Sequence, residues 1–78
     1  MNPTDTDLQK LLVSHPMLEQ LELGSLRNIT VVPAQFPDTL KSVILHEVPE
    51  QLVNKFMDNL QAYPLEDLEI DAWPPKYQ

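Results

Sequence analysis

Side chains that could carry out acid–base, nucleophilic or metal chemistry are few in this 78-residue chain, and their spacing forms no catalytic set. There is no Cys, and the only histidines are His15 and His46. Ser14 and His15 adjoin in sequence, but a nucleophile and its base must be neighbours in space. With a single Gly, the chain also has no glycine-rich phosphate loop. We therefore predict that the protein is not an enzyme and needs no metal or cofactor.

The densest group of charges is acidic and lies near the C-terminus, at Glu66, Asp67, Glu69 and Asp71. The residues around it alternate as in a strand, where successive side chains point to opposite faces. Carboxylates that alternate in direction do not converge on one cation, so a calcium site is not expected. These acids are better explained as part of a binding surface or of a solvated face.

The whole chain is acidic, with 12 Asp and Glu against 5 Lys and Arg and a net charge of -7. A nucleic-acid or anionic membrane surface would require clustered basic residues, which are absent. We therefore predict a partner protein with a basic surface, since opposite fields steer encounter. The alternative, that the acidity only keeps a small domain soluble, stays open.

The location in the cell is predicted from what the chain lacks. Residues 1–10 are polar and acidic, without the apolar core of a signal peptide. No apolar run approaches the roughly 20 residues that a membrane-spanning helix needs. The expected location is intracellular, cytoplasmic or nuclear. Residues 1–78 are expected to form one small domain with loose tails at 1–5 and 74–78.

Two segments have the apolar spacing of helices. In residues 6–14, Leu8, Leu11 and Leu12 form one stripe, and His15-Pro16 ends the segment. Residues 49–62 carry five apolar side chains on one predicted face: Leu52, Val53, Phe56, Met57 and Leu60. This second stripe is expected to pack in the core.

Three short strands, predicted at residues 20–23, 42–45 and 67–70, belong to one repeated pattern. The copies are Leu18-Glu-Gln-Leu-Glu-Leu23, Leu40-Lys-Ser-Val-Ile-Leu45 and Leu65-Glu-Asp-Leu-Glu-Ile70. Each reads apolar, two residues, apolar, one residue, apolar, and a proline precedes each. The copies start 22 and 25 residues apart, within the period of about 20–29 residues that leucine-rich repeats have.

The chain therefore resembles a leucine-rich-repeat protein of the helix-backed intracellular type from about Leu8 to Ile70. The phrase Pro37-x-x-Leu-Lys-x-Val43 is similar to repeats of F-box-type substrate receptors. The resemblance implies an α/β fold, a short solenoid with three parallel strands on a concave face and two helices behind them. The Asn or Cys usual in such repeats, three positions after the last strand apolar residue, is replaced by Leu26, Val48 and Trp73.

The same resemblance implies a binding surface on the concave strand face. The strand positions that would line it are Gln20, Glu22, Ser42, Ile44, His46, Asp67, Glu69 and Asp71, with Gly24 at the end of the first strand. Ile44, between acidic neighbours, would anchor a basic and apolar peptide. Trp73 would either cap the open edge of the sheet or act as a binding hot spot. A solvated polar face with one stray apolar residue is the open alternative.

Function is thus predicted as protein–protein interaction, as an adaptor or scaffold. One form of it is the substrate-recognition part of a larger receptor such as a ubiquitin-ligase F-box protein. The alternative is a small structural subunit that docks by its sheet edge or by the helix at 49–62 to complete a larger assembly or a homodimer.

Overall fold

The computed structural model describes residues 4–74, which form two helices and three strands. In chain order the elements are α1 (Asp5–Ser14), β1 (Gln20–Leu23), β2 (Ser42–Pro49), α2 (Glu50–Leu60) and β3 (Asp67–Trp73). All three strands begin where the repeat predicts, but β2 and β3 continue past the predicted ends at Leu45 and Ile70. The predictions for residues 1–3 and 75–78 lie outside the described residues.

The strands form one open parallel sheet in the order β1-β2-β3. The predicted α/β fold, with three parallel strands and two helices, is confirmed. The second strand positions of the three copies are level with one another, so that Leu21, Val43 and Leu68 form a row across the sheet. The repeated spacing therefore corresponds to a repeated register.

α1 begins at Asp5, one residue earlier than predicted, because a capping box closes its first turn. Thr4 is the N-cap: its hydroxyl accepts a hydrogen bond from the Asp7 amide, and the Asp7 carboxylate accepts one from the Thr4 amide. The Asp5 carboxylate accepts hydrogen bonds from the amides of Thr30 (2.8 Å) and Val31 (3.1 Å). Thr4 and Asp5, predicted to be part of a loose tail, are instead ordered by these bonds.

α2 is the helix that lies against the sheet. Pro49 ends β2 and Glu50 begins the helix, whose buried side chains are Phe56 and Leu60. Met57, predicted to share their core face, is 39% exposed, because it lies at the margin of that stripe. α1 contributes Leu8 and Leu12 to the same hydrophobic core, but its backbone lies farther from the strands than that of α2. In the described chain, no Cα atom of α1 lies within 8 Å of a strand Cα atom.

The two connections between the strands differ. Residues 50–66 contain α2, whereas residues 24–41 contain no helix or strand, only turns at 27–28 and 38–39, bends and irregular residues. This irregular crossover still contributes five residues to the hydrophobic core, namely Leu26, Ile29, Val32, Phe36 and Leu40, and Pro37 is buried as well.

Side chains from α2 and its C-terminal turn hold that crossover in place. The Tyr63 hydroxyl accepts a hydrogen bond from the Phe36 amide (2.8 Å) and donates one to the Phe36 carbonyl (3.0 Å). Asn59 donates to the Pro33 carbonyl. These bonds satisfy backbone N–H and C=O groups that would be paired with other backbone groups if the segment were a helix or a strand.

Candidate functional site

The eight strand positions predicted to line a binding face lie together on one side of the sheet. This surface, called here the polar face, consists of Gln20, Glu22, Ser42, Ile44, His46, Asp67, Glu69 and Asp71. The opposite side is apolar, with Leu21, Val43 and Leu45 buried beneath the sheet. Alternation along each strand and a common register between strands are sufficient to produce this division. Gly24, also predicted there, is exposed beyond the end of β1.

Two rows of the polar face run straight across the three strands. Gln20, Ser42 and Asp67 form the first row, and Glu22, Ile44 and Glu69 form the second. Neighbouring strands are about 4.8 Å apart, so each carboxylate of the second row is adjacent to Ile44. Ile44 is half-buried, with carboxylates on both sides and its outer surface open to solvent.

His46 connects all three strands on the polar face. Its Nδ1 atom lies 2.9 Å from the Asp71 carboxylate on β3, and its Nε2 atom lies 3.9 Å from the Glu22 carboxylate on β1. The imidazole and both carboxylates are partly exposed. These three residues, predicted separately from strand alternation, therefore form one cluster in the structure.

A β-bulge in β2 sets the position of His46. Leu45 pairs with Ile70 and Val48 pairs with Ala72, so His46 and Glu47 together oppose the single residue Asp71. Glu47 has a φ of 56°, which is uncommon for a residue other than glycine. The extra residue allows both Leu45 and Val48 to be fully buried, and bulges of this kind redirect side chains.

Two residues that the sequence did not single out, Arg27 and Glu47, lie at the C-terminal end of the sheet. The Arg27 guanidinium is 3.5 Å from the Glu47 carboxylate and 4.7 Å from the centre of the Trp73 ring. Trp73 pairs with Pro49 at the end of β3 and is 36% exposed.

The spacing of three between Leu45 and Val48 was the available signal for the bulge, since an unbroken strand buries every second residue.

The chemistry of the polar face is that of an ionic recognition surface. Within residues 4–74 no polar side chain is buried, and no group of three His, Asp or Glu residues is arranged to hold a metal ion. Carboxylates on β1 and β3, on either side of Ile44, can accept hydrogen bonds from Lys or Arg while Ile44 contacts the methylene stem.

Two surface depressions lie away from the polar face. An open groove of about 720 Å³ runs between α1 and the crossover, and its lining includes Val13, Phe36 and Tyr63. A depression of about 420 Å³ is lined by residues 14–19. It contains Ser14 and His15, but no hydrogen bond joins these two side chains in the described chain.

No protein-family model, curated protein or solved structure matches this chain. None of the helices found in residues 4–74 is both long enough and apolar enough to cross a membrane.

Proposed function

We propose that this protein is an intracellular protein–protein interaction module of the leucine-rich-repeat type, which binds a partner protein with a basic surface through the polar face. The observation that carries the proposal is the convergence of acidic side chains from β1 and β3 on either side of Ile44. In this proposal the strands form a short solenoid fragment whose polar face is concave, and no catalytic step is involved.

Support comes from the charges within the polar face. Glu22, Glu69 and Asp67 have no Lys or Arg nitrogen within 4.0 Å among the described residues. A partner's basic side chains would therefore meet carboxylates that are not already paired with a fixed cation. A role as the substrate-recognition part of an F-box-type receptor fits this surface and rests on the repeat resemblance alone.

Charge reversal on the polar face tests the proposal. The variant Glu22→Lys/Glu69→Lys would be compared with Asp38→Lys/Asp58→Lys, which changes the net charge equally at exposed positions outside the strands. Partners would be captured from cell lysate and quantified by mass spectrometry, after circular dichroism has shown that both variants fold. We expect the specific partners to be lost only from the polar-face variant. Equal retention, or equal loss, by both variants would contradict binding through the polar face.

A structural subunit that docks by its sheet edge or by α2 is the second candidate. It is favoured by two exposed apolar side chains on those elements, Leu68 at 37% and Met57 at 39%. Sedimentation across a wide concentration range separates the two candidates. A monomer at all concentrations favours a partner-binding module, and growth of a dimer with concentration favours self-association.

A further inference from the structure

The apolar side of β3 is incompletely covered. The residues of β1 and β2 that face the core are buried, with Leu21 at 4% exposure and both Val43 and Leu45 at 0%. Leu68, which pairs with Val43 in the same row, is 37% exposed, and Ile70 is only half-buried. An additional apolar layer beside β3 would complete the burial of this row.

β3 also presents an unpaired backbone edge. It pairs with β2 on one side only, and no strand of the described chain lies on its other side. The strand has 7 residues, with neither Lys nor Pro. Charged residues also protect an edge from strand addition, but those of β3 are all acidic and would favour a basic strand over an acidic one. Its free N–H and C=O groups can therefore pair with an added strand.

The charge of β3 selects among possible occupants. Its polar-face residues are all acidic, namely Asp67, Glu69 and Asp71, and like charges directly opposite each other on paired strands are destabilising. A second copy pairing through β3 would place these carboxylates against one another. Pairing through β1 would bring Gln20 and Glu22 instead, so no strand edge of this chain supplies the complementary charge.

We propose that the free edge of β3 accepts an extended segment of a partner protein as a fourth strand, in which Lys or Arg alternates with apolar residues. The basic side chains lie beside Asp67 and Glu69 on the polar face, while the apolar ones cover Leu68 and Ile70 on the core side. This inference rests on the proposed function as a protein-binding module and specifies its partner's chemistry and mode of binding.

A synthetic peptide, Lys-Leu-Lys-Val-Lys-Leu-Lys, is the probe, with a control peptide of the same composition in which the four Lys residues are consecutive. Binding to the full chain would be followed by fluorescence anisotropy, and amide hydrogen exchange would locate the peptide. We expect the alternating peptide to bind about tenfold more tightly than the control. We also expect it to slow exchange in β3 more than in β1. Equal affinity for both peptides, or protection of β1 in place of β3, would overturn the proposal.

Two variants test the edge directly. Leu68→Lys places a charge where the peptide's apolar side chains should lie, and its matched control is Val13→Lys, an exposed apolar position on α1. Glu69→Lys reverses one polar-face charge at an exposed site where loss of folding is not expected. Each β3 variant should weaken peptide binding about tenfold, and Val13→Lys should leave it within about twofold. Unchanged binding to Leu68→Lys overturns strand addition.

The outcomes for this inference and for the proposed function are distinguishable. If the lysate partners are lost from Glu22→Lys/Glu69→Lys but kept by Leu68→Lys, the polar face binds them and the edge inference is wrong. The opposite result is that Leu68→Lys loses both the peptide and the lysate partners, whereas the single variant Glu22→Lys retains both. In that case binding is at the edge, and the polar face as a whole is not the recognition surface.

Discussion

The two edge strands of the sheet differ in how completely their core sides are covered. Leu21 on β1 is 4% exposed, whereas Leu68, at the same level on β3, is 37% exposed. The core around β1 and β2 also receives Leu8 and Leu12 from α1 and five side chains from the irregular crossover. Within the described residues, no helix or strand follows β3 that could contribute further side chains over its core side. Burial at a sheet edge is therefore decided by the segments packed over it and not by the strand itself.

The largest effect should come from the fully covered region. Leu45 belongs to β2, and its side chain is buried on the core side of the sheet. Leu45→Ala should lower the free energy of unfolding by about 3 kcal/mol, since it removes that side chain and leaves a cavity. For a domain this small, that is a large part of the total stability. Urea denaturation followed by circular dichroism measures the change. A loss below about 1 kcal/mol would contradict a rigid, fully packed core under β2.

The next largest effect should follow from releasing the irregular crossover. Tyr63→Phe keeps the ring contact with Phe36 but removes a hydroxyl that pairs with both backbone groups of that residue. We expect a loss of about 1–2 kcal/mol in the same assay, because a partly buried N–H and C=O lose their partner. Amide exchange at Phe36 should quicken while exchange in β3 stays unchanged. Faster exchange throughout the chain would instead indicate global loosening.

A smaller, pH-dependent effect is expected at Asp5, which ties α1 to the crossover. The hydrogen bonds from the Thr30 side chain and from the Thr30 and Val31 amides hold the pKa of Asp5 below its ordinary value. The carboxylate therefore stabilises the fold above its unfolded pKa of about 3.9, and this contribution is lost as the pH falls through the lowered folded pKa.

Asp5→Asn should remove that dependence. At pH 7 the variant should be less stable than the wild type, by less than Tyr63→Phe, and the difference should shrink toward zero as the pH falls through the lowered folded pKa of Asp5. Thermal melts at several pH values measure it. Asp58→Asn, the same substitution at an exposed position of α2, is the matched control. A difference between wild type and Asp5→Asn that is constant with pH would show that the charge of Asp5 is not involved.

The smallest effect is expected at the exposed edge. Leu68→Ala should cost less than about 1 kcal/mol, because much of the side chain is already in contact with water. The comparison with Leu45→Ala is direct, since both are leucines on the core side of one sheet. If the two variants lost similar stability, Leu68 would be covered in solution and the difference between the edges would disappear.

Much of the backbone arrangement could be predicted from local pattern. The first residues of β1, β2 and β3 follow from alternation within the three repeats, and α1 follows from a capping residue and three leucines at helical spacing. The shared face of Glu22, His46 and Asp71 follows as well, since alternation assigns a face to each residue. These features depend on spacings within a few residues, which the sequence displays directly.

The details of the polar face could not be predicted in the same way. The bulge at His46 and Glu47 depends on burying both Leu45 and Val48, and the contacts of Arg27 with Glu47 and Trp73 join segments far apart in the chain. For the bulge the only local signal is the spacing of three between two buried residues, and the proximity of Arg27 to Glu47 and Trp73 has no signature in the local sequence.

The sequence by itself determined where each strand begins, which two segments are helical, the division of the sheet into an apolar side and the polar face, and the net charge of the chain. Only the tertiary structure decided that Leu21 is covered and Leu68 is not, although both occupy the same place in the repeat. The physical reason is that alternation specifies which side of a sheet a residue faces, while burial depends on what other segments lie against that side.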